Sequence, residues 1–287
     1  MIPRSLRRRK AIERAFVVLF LASIVVALGT LAILLGSVVS TAAPYLKPSV
    51  VTNYPSFFRP DAAGYAPAIV GTLWVVGLTL LFSLPLGIAA GVYLEEYAPR
   101  GRITRLLEAG VSNLAGMPSV VFGLVGLAVF ARAFGFGSTV LAAALTLTIL
   151  VFPYVVITTQ EAVRAVPSSV REGALALGAT KWQAIRRQVL PAGTPGLLTA
   201  TILAASRAMG ESAPLIVISS IVQMRFLPYG PGSPFSVLPV QIYAYVGRPE
   251  PAYQGLAAAG MVILLAMLLS FNSVAILARN RMQRRRW

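Results

Sequence analysis

Arg207 and Glu211 are the only charged side chains in the apolar stretch from Leu197 to Val222, and both lie near its middle. In the centre of a bilayer a charge costs at least about 2.5 kcal/mol, so a charged side chain there is a functional candidate by default. Four residues apart on a helix, the two share one face and can form an ion pair. The guanidinium fork suits phosphate, sulfate or carboxylate.

This pair has two possible roles. In the first, Arg207 contacts an anion in a water-filled path, and Glu211 is the counter-ion that holds Arg207 when no anion is bound. In the second, the ion pair only fixes helix packing. We favour the path, because burying an ion pair for packing alone brings little net stability.

Proline residues predict irregular backbone close to this pair and in one other place. Pro214 has no N–H, so the carbonyl of Gly210 loses its helical donor and the helix should loosen around Ser212. Such backbone is tolerated in a membrane only where it lines a cavity or is buried in protein. Pro118 could open another helix and offer backbone N–H groups and the Ser119 hydroxyl to an anion. Ser119 could equally be a small residue at a helix–helix contact.

The composition predicts an integral membrane protein. Of 287 residues, 57% are hydrophobic and 12% are charged, against about 25% charged in a soluble domain. The sequence contains no cysteine and no histidine, which excludes disulfides, thiolate nucleophiles, Cys/His metal sites and Ser-His-Asp triads. It has no P-loop motif either. We therefore expect no enzyme, no catalytic or metal residue, and no cofactor bound to this chain.

Six apolar stretches are long enough to cross a bilayer as helices. We therefore predict an all-α integral membrane protein with six transmembrane helices. The stretches are Phe16 to Val39, Ala68 to Leu94, about Leu114 to Ala131, Ser138 to about Thr158, Leu197 to Val222, and Gly255 to Ala278. The first is too long for a signal-peptide core, so we expect a retained helix rather than cleavage near Ala42.

The basic residues predict the orientation. Nineteen of the 25 Lys and Arg residues fall in the segments on one side of the predicted helices, and that side is cytoplasmic by the positive-inside rule. Both termini are then cytoplasmic. The net charge of +16 is explained by topology and needs no nucleic-acid partner.

The long cytoplasmic loop, residues 160–196, predicts two short helices. Ser169 with Glu172, and Thr180 with Gln183, match the capping-box pattern. Gly178 is placed for a left-handed turn between the helices, and the second helix should end near Pro191. Capping leaves open whether the pair projects towards a partner protein or lies on the lipid surface.

The same loop resembles the EAA loop of ABC-importer permeases. The resemblance is carried by Glu172, Gly173, Ala174 and Gly178, followed by Leu190 and Pro191 at the family's spacing. Gly173 replaces the usual first Ala, and Gln188 stands at a usually aliphatic position. The resemblance implies that these residues form coupling helices that bind a separate ATPase subunit, which would hold the ATP and Mg²⁺.

Three further segments resemble the PstA family of phosphate permeases. They are Arg207 to Leu215 (RAMGESAPL), Gly116 to Leu124 (GMPSVVFGL) and Leu238 to Tyr243 (LPVQIY). The resemblance implies a MetI-like permease with a PstC-like second permease, a PstB-like ATPase dimer and a PstS-like phosphate-binding protein. It also implies a path for phosphate at Arg207, Glu211, Ser212 and Ser119. A sulfate or molybdate permease remains an alternative, as does a channel or secondary transporter without an ATPase.

The resemblance also divides the chain. Residues 1–67 hold a basic tail, the first helix and an outer loop; residues 68–280 form the permease core; residues 281–287 are a basic cytoplasmic tail. The outer loop 223–254 either contacts a binding protein or lies at the interface, with Tyr243 and Tyr245 among the lipid head groups.

Overall fold

The computed structural model describes residues 4–219 and 224–284, and this part of the chain is helical, with no β-strand. Three wider, π-helical turns accompany the helices: Tyr93–Tyr97 follows α3, Leu127–Ala133 follows α5, and Ile185–Val189 joins α8 to α9. The helices are α1 Arg4–Ala42, α2 Pro48–Thr52, α3 Ala66–Val92, α4 Arg102–Ala115, α5 Ser119–Gly126, α6 Val140–Arg164, α7 Ser168–Ala176, α8 Lys181–Ala184, α9 Leu190–Gly210, α10 Ala213–Ile218, α11 Leu238–Val246 and α12 Pro251–Arg284.

Five helical stretches of the described chain are long and apolar enough to cross a membrane. They are Ile12–Tyr45, Ala66–Tyr97, Val140–Arg164, Lys181–Gly210 and Pro251–Arg281. A sixth span results if α4 and the Ser119–Ala133 helix, which are bent by 100° at their junction, count as one. The predicted all-α membrane fold is confirmed.

The third predicted span is not a continuous helix. Its first residues belong to α4, which ends at Ala115, and a new helix begins at Ser119. Pro118 has ψ 133° and starts the new direction, because a proline disfavours helical geometry in the residue before it and cannot donate to the preceding turn. α4 has no buried residue and exposes the apolar side chains of Ile103 and Leu106.

The fifth span begins earlier than predicted and is broken. The predicted stop at Pro191 is wrong, because Pro191 lies in the first turn of α9, directly after the π-helical turn. In that turn the Leu190 N–H donates to the Ile185 carbonyl. A proline is tolerated in a first helical turn, so the helix continues. α9 ends at Gly210, α10 follows, and the predicted end at Val222 lies outside the described residues.

The centre of the fold is the contact between α3 and α6. Gly87 and Gly91 of α3 lie directly against Val155 and Thr159 of α6, and small residues of this kind let two helices approach closely in a membrane. The side chains of α6 around Leu147 are fully buried between α3, α9 and α10.

Part of the outer loop returns into the core, because α11 is largely buried, while Tyr243 on the same helix is exposed. The Leu238 N–H at the start of α11 donates to Thr72 Oγ1 at 2.9 Å. Tyr245 is fully buried, with its ring against Tyr65, Phe57 and Tyr253. The interpretation of Tyr245 as a head-group residue is therefore wrong, because its ring completes an aromatic cluster between α11 and α12.

Gly91→Ala tests the close approach of α3 and α6. A Cβ at Gly91 would lie 2.7 Å from Thr159 Cβ and 2.8 Å from the Val156 carbonyl, so we expect a loss of about 1–3 kcal/mol in the free energy of unfolding in mixed micelles. The matched control is Gly77→Ala on the same helix, where nothing lies within 4 Å. Equal stability of the two variants would contradict the proposed packing.

Candidate functional site

The two broken segments of the core pack against each other. α5, which begins at Ser119, lies on α10, which begins just after Ser212. Gly123 faces Pro214 so closely that a Cβ there would lie 2.7 Å from Pro214 Cα. The structure therefore brings together the two motif segments that the sequence singled out in separate spans.

Arg207 and Glu211 form the expected ion pair at the break. Arg207 lies in the last turn of α9 and Glu211 is the first residue beyond it, in extended conformation at φ −78° and ψ 116°. Arg207 Nε lies 3.5 Å from Glu211 Oε1, with side chains 35% and 18% exposed. This contact is too long for a good hydrogen bond, and Nε has no hydrogen-bond partner among the described residues. The pair is loose and leaves the guanidinium donors for another acceptor.

Tyr154 of α6 contacts both breaks, and we had not singled it out from the sequence. The Arg207 Cζ lies 3.9 Å from the centre of the Tyr154 ring, a cation–π contact that stabilises the charge by about 0.5–2 kcal/mol. The Tyr154 hydroxyl donates to the carbonyl of Ala115, the last residue of α4. A signal was present in the sequence, because a tyrosine inside an apolar span needs a partner for its hydroxyl.

Ser119 and Ser212 are partly exposed next to the two helix starts. No hydrogen bond joins either hydroxyl to Arg207 within the described residues. No side chain caps the start of α5, which is compatible with anion binding at its backbone N–H groups. The roles of the four path residues stay predictions.

The coupling region, which we define as α7, α8 and the turn between them, has the predicted tight glycine turn. Gly178 has φ +82°, its N–H donates to the Leu175 carbonyl at 2.9 Å, and the Ala179 N–H donates to the Ala174 carbonyl at 3.1 Å. These two bonds make a Schellman motif. The left-handed conformation predicted for Gly178 is confirmed.

One of the two predicted capping boxes is present. Thr180 N–H donates to Gln183 Oε1 at 2.9 Å, and Gln183 N–H donates to Thr180 Oγ1 at 3.3 Å. The other prediction is wrong, because α7 begins at Ser168 after Pro167 and Ser169 already lies inside it. Pro167 has a fixed φ of −55° and takes the cap position two residues before the predicted Ser169.

The turn exposes apolar side chains. Leu177 is 91% exposed, and Trp182 and Leu175 are also exposed. Glu172 and Gly173 are exposed, while Ala174, Leu190 and Pro191 are partly buried. Gln188, the departure from the family pattern, is exposed, so its polar side chain is not buried within this chain. Large exposed apolar side chains at a projecting turn are typical of a protein-binding surface.

Residues 83–286 match the family model described as the binding-protein-dependent transport system inner membrane component. The chain belongs to this family. Curated relatives include PstA 1, a phosphate transport system permease protein of Mycobacterium tuberculosis, which is 34% identical over 225 residues, or 78% of this chain and 73% of the relative. PstA of Haemophilus influenzae is 32% identical over 74% of both chains. The probable ABC transporter permease YqgI of Bacillus subtilis is 30% identical over 74% of this chain and 76% of the relative.

Solved structures show the same fold. A bacterial alginate ABC transporter has a chain with a TM-score of 0.66 and 18% identity, covering 96% of this chain and 99% of that one. The inward-facing MetNI methionine ABC transporter gives 0.59 and 23% identity, covering 76% and 93%. The chain is therefore a multi-pass transport subunit of ABC-importer type with the MetI-like fold.

Proposed function

We propose that this chain is the phosphate-translocating permease subunit of an ATP-driven importer and forms half of the path with a PstC-like second permease. The observation that carries the proposal is Arg207, a cation at a helix break that is loosely paired with Glu211 and stacked on Tyr154. The overall similarity to phosphate permeases supports phosphate as the anion.

The geometry supports a simple exchange at Arg207. The guanidinium has fixed donors suited to a tetrahedral oxyanion, and the 3.5 Å contact with Glu211 is easily exchanged for a phosphate oxygen. Tyr154 keeps the cation in place during the exchange, because the ring contact does not use the N–H donors in the guanidinium plane. Glu211 then returns to Arg207 when phosphate leaves and keeps the anion from binding too tightly.

The partners follow from the coupling region. We expect a PstB-like ATPase dimer, holding ATP and Mg²⁺, to bind Leu177 and its neighbours on this chain and the matching surface on the second permease. ATP binding would close the ATPase dimer, move the coupling helices and open the path outward, where a PstS-like protein delivers phosphate. The proposal places the protein in the cell membrane with both termini cytoplasmic, as its basic residues predict.

Two alternatives share part of this chemistry. A sulfate or molybdate permease would use the same guanidinium for a similar oxyanion, so only a substrate comparison separates it from a phosphate permease. A channel or secondary transporter would not need an apolar projecting turn, so the exposure of Leu177 favours an ATPase-coupled importer over that class.

Arg207→Gln should abolish ATP-dependent phosphate uptake into proteoliposomes that contain this chain, the second permease, the ATPase and the binding protein. Glutamine removes the charge and the forked donors, so uptake should fall about tenfold or more. Glu211→Gln should also lose uptake, because the anion would no longer be released by a competing carboxylate. Uptake is measured with labelled phosphate and labelled sulfate in parallel, with and without ATP.

The matched control is Arg14→Gln, which removes an exposed arginine from α1 and should leave uptake unchanged. Normal uptake in both Arg207→Gln and Glu211→Gln would show that this ion pair has no role in the path of the anion. ATP-driven uptake of sulfate without uptake of phosphate would show that sulfate is the substrate. Uptake that does not need ATP would show that the protein is a channel or secondary transporter.

Leu177→Ser should weaken binding of the ATPase roughly tenfold to a hundredfold, because burial of a leucine side chain contributes about 1.5–3 kcal/mol. Gly178→Pro should weaken it as well, since proline cannot adopt the φ of +82° that forms the turn. Binding is measured by pull-down of the ATPase on detergent-solubilised permease complex. Ile103→Ser, which changes an exposed side chain of α4, is the control, and equal binding of all variants would contradict the assigned surface.

A further inference from the structure

The three residues that end α3's π-helical turn each contact a different basic side chain of the cytoplasmic region. The pairs are Glu95 with Arg164 at the end of α6, Glu96 with Arg171 in α7, and Tyr97 with Lys181 at the start of α8. We name Tyr93–Tyr97 the relay turn. Through it, α3 is joined to the end of α6 and to both helices of the coupling region.

The central contact is the partly buried ion pair of Glu96 and Arg171. Arg171 Nε lies 2.7 Å from Glu96 Oε1, and the side chains are 23% and 9% exposed. The remaining donors of the same guanidinium reach the carbonyls of Val166 at 2.6 Å and Val163 at 2.7 Å. One side chain of α7 therefore holds α3 and the end of α6 together, and losing Glu96 leaves a half-buried cation without its counter-ion.

The two flanking contacts are more exposed and contribute less. Glu95 accepts from Arg164 in a bidentate pair at 3.0 and 2.7 Å, but Arg164 is 67% exposed. Lys181 Nζ lies 4.9 Å from the ring centre of Tyr97. Solvent and salt screen pairs of this kind, so their role is to fix the orientation of the relay turn around the central pair.

The backbone of the relay turn is widened. The Ala98 N–H donates to the Tyr93 carbonyl, five residues back, at 2.9 Å. Beneath the turn, Val92 packs with Val163, Val166, Ile185 and Val189, so the apolar contact follows the same route as the ion pairs.

We propose that the relay turn transmits movement of the coupling region to α3, with Glu96 and Arg171 as the positioning residues. The coupling region is joined covalently to α6 at one end and, through the Ile185–Val189 turn, to α9 at the other. The Glu96–Arg171 pair adds α3, which packs along α6 and accepts, at Thr72, the hydrogen bond from the Leu238 N–H at the start of α11. The inference rests on the proposed function in one respect, that an ATPase moves the coupling region. It does not depend on which anion is carried.

The test measures movement of α3 in the assembled complex by pulsed electron spin resonance. The chain has no cysteine, so spin labels at Leu81→Cys on α3 and Val274→Cys on α12 are specific when the partners are also cysteine-free. Both positions are exposed. We expect ATP to change the distance between the labels in the parent chain, and Glu96→Gln to abolish this change and to reduce solute transported per ATP about tenfold. Glu95→Gln should have a smaller effect.

The matched control is Glu108→Gln, a carboxylate on α4 that lines one cavity together with Glu95 and Arg164 and should respond to ATP as the parent does. An unchanged response in Glu96→Gln, or no response in the parent, would overturn the relay. If ATP changes the distance between the labels in the parent but the complex takes up no phosphate, the proposed substrate is wrong and the role of the relay turn is still supported.

A second experiment tests the proposal if the Glu96→Gln variant does not assemble into the complex. Tyr97→Cys and Lys181→Cys are bridged by a flexible bifunctional thiol reagent, which holds the relay turn to α8. Because the relay moves with the coupling region, transport per ATP should be retained after bridging. Loss of transport on bridging, with full transport before it, would show that the two separate during the cycle and would overturn the proposal.

Discussion

The two helix breaks in the core depend on contacts made by the side chain of Tyr154. Its hydroxyl satisfies the Ala115 carbonyl at the break between α4 and α5, and its ring carries the Arg207 guanidinium at the end of α9. In a bilayer each unpaired backbone group or charge is costly. The two helix breaks are therefore tolerated only if other protein groups pair with the backbone carbonyl and the charge that they leave. Tyr154 of the continuous helix α6 makes both contacts, so the two motif segments are held against the same helix.

The same helix connects this region to the cytoplasmic side. α6 packs on α3 through Gly87 and Gly91, and both helices end at the ion pairs around Glu96. A charge buried with its partner and two backbone carbonyls gives a contact of defined geometry, whereas exposed pairs do not. Helices α3 and α6 therefore connect the exposed apolar turn at Leu177, the ion pairs around Glu96 and the loosely paired Arg207.

Much of this arrangement could be predicted from the sequence, because apolar length, basic asymmetry and turn chemistry are local. The left-handed Gly178, the Thr180 cap and the Arg207–Glu211 ion pair follow from spacing, although Glu211 lies beyond the end of α9 and does not share a helical face with Arg207. The errors have physical causes of two kinds. The predicted stop at Pro191 follows a local rule alone, although a preceding π-helical turn accommodates this proline. The expectation that Pro118 opens a helix is confirmed, but the predicted third span runs across it from about Leu114. The roles of Tyr154, Tyr245 and Glu96 depend on residues far away in the chain, which spacing cannot show.

The central claim is that Arg207 receives the transported anion at the break of α9. The most direct measurement is a cryo-electron microscopy structure of the complete importer, trapped during ATP turnover with phosphate, at a resolution that shows bound oxyanions. We predict phosphate density within hydrogen-bond distance of the Arg207 guanidinium, with Glu211 displaced and the ring of Tyr154 still beneath the cation. Phosphate bound elsewhere in the path, with the Arg207–Glu211 pair unchanged in every state, would contradict it.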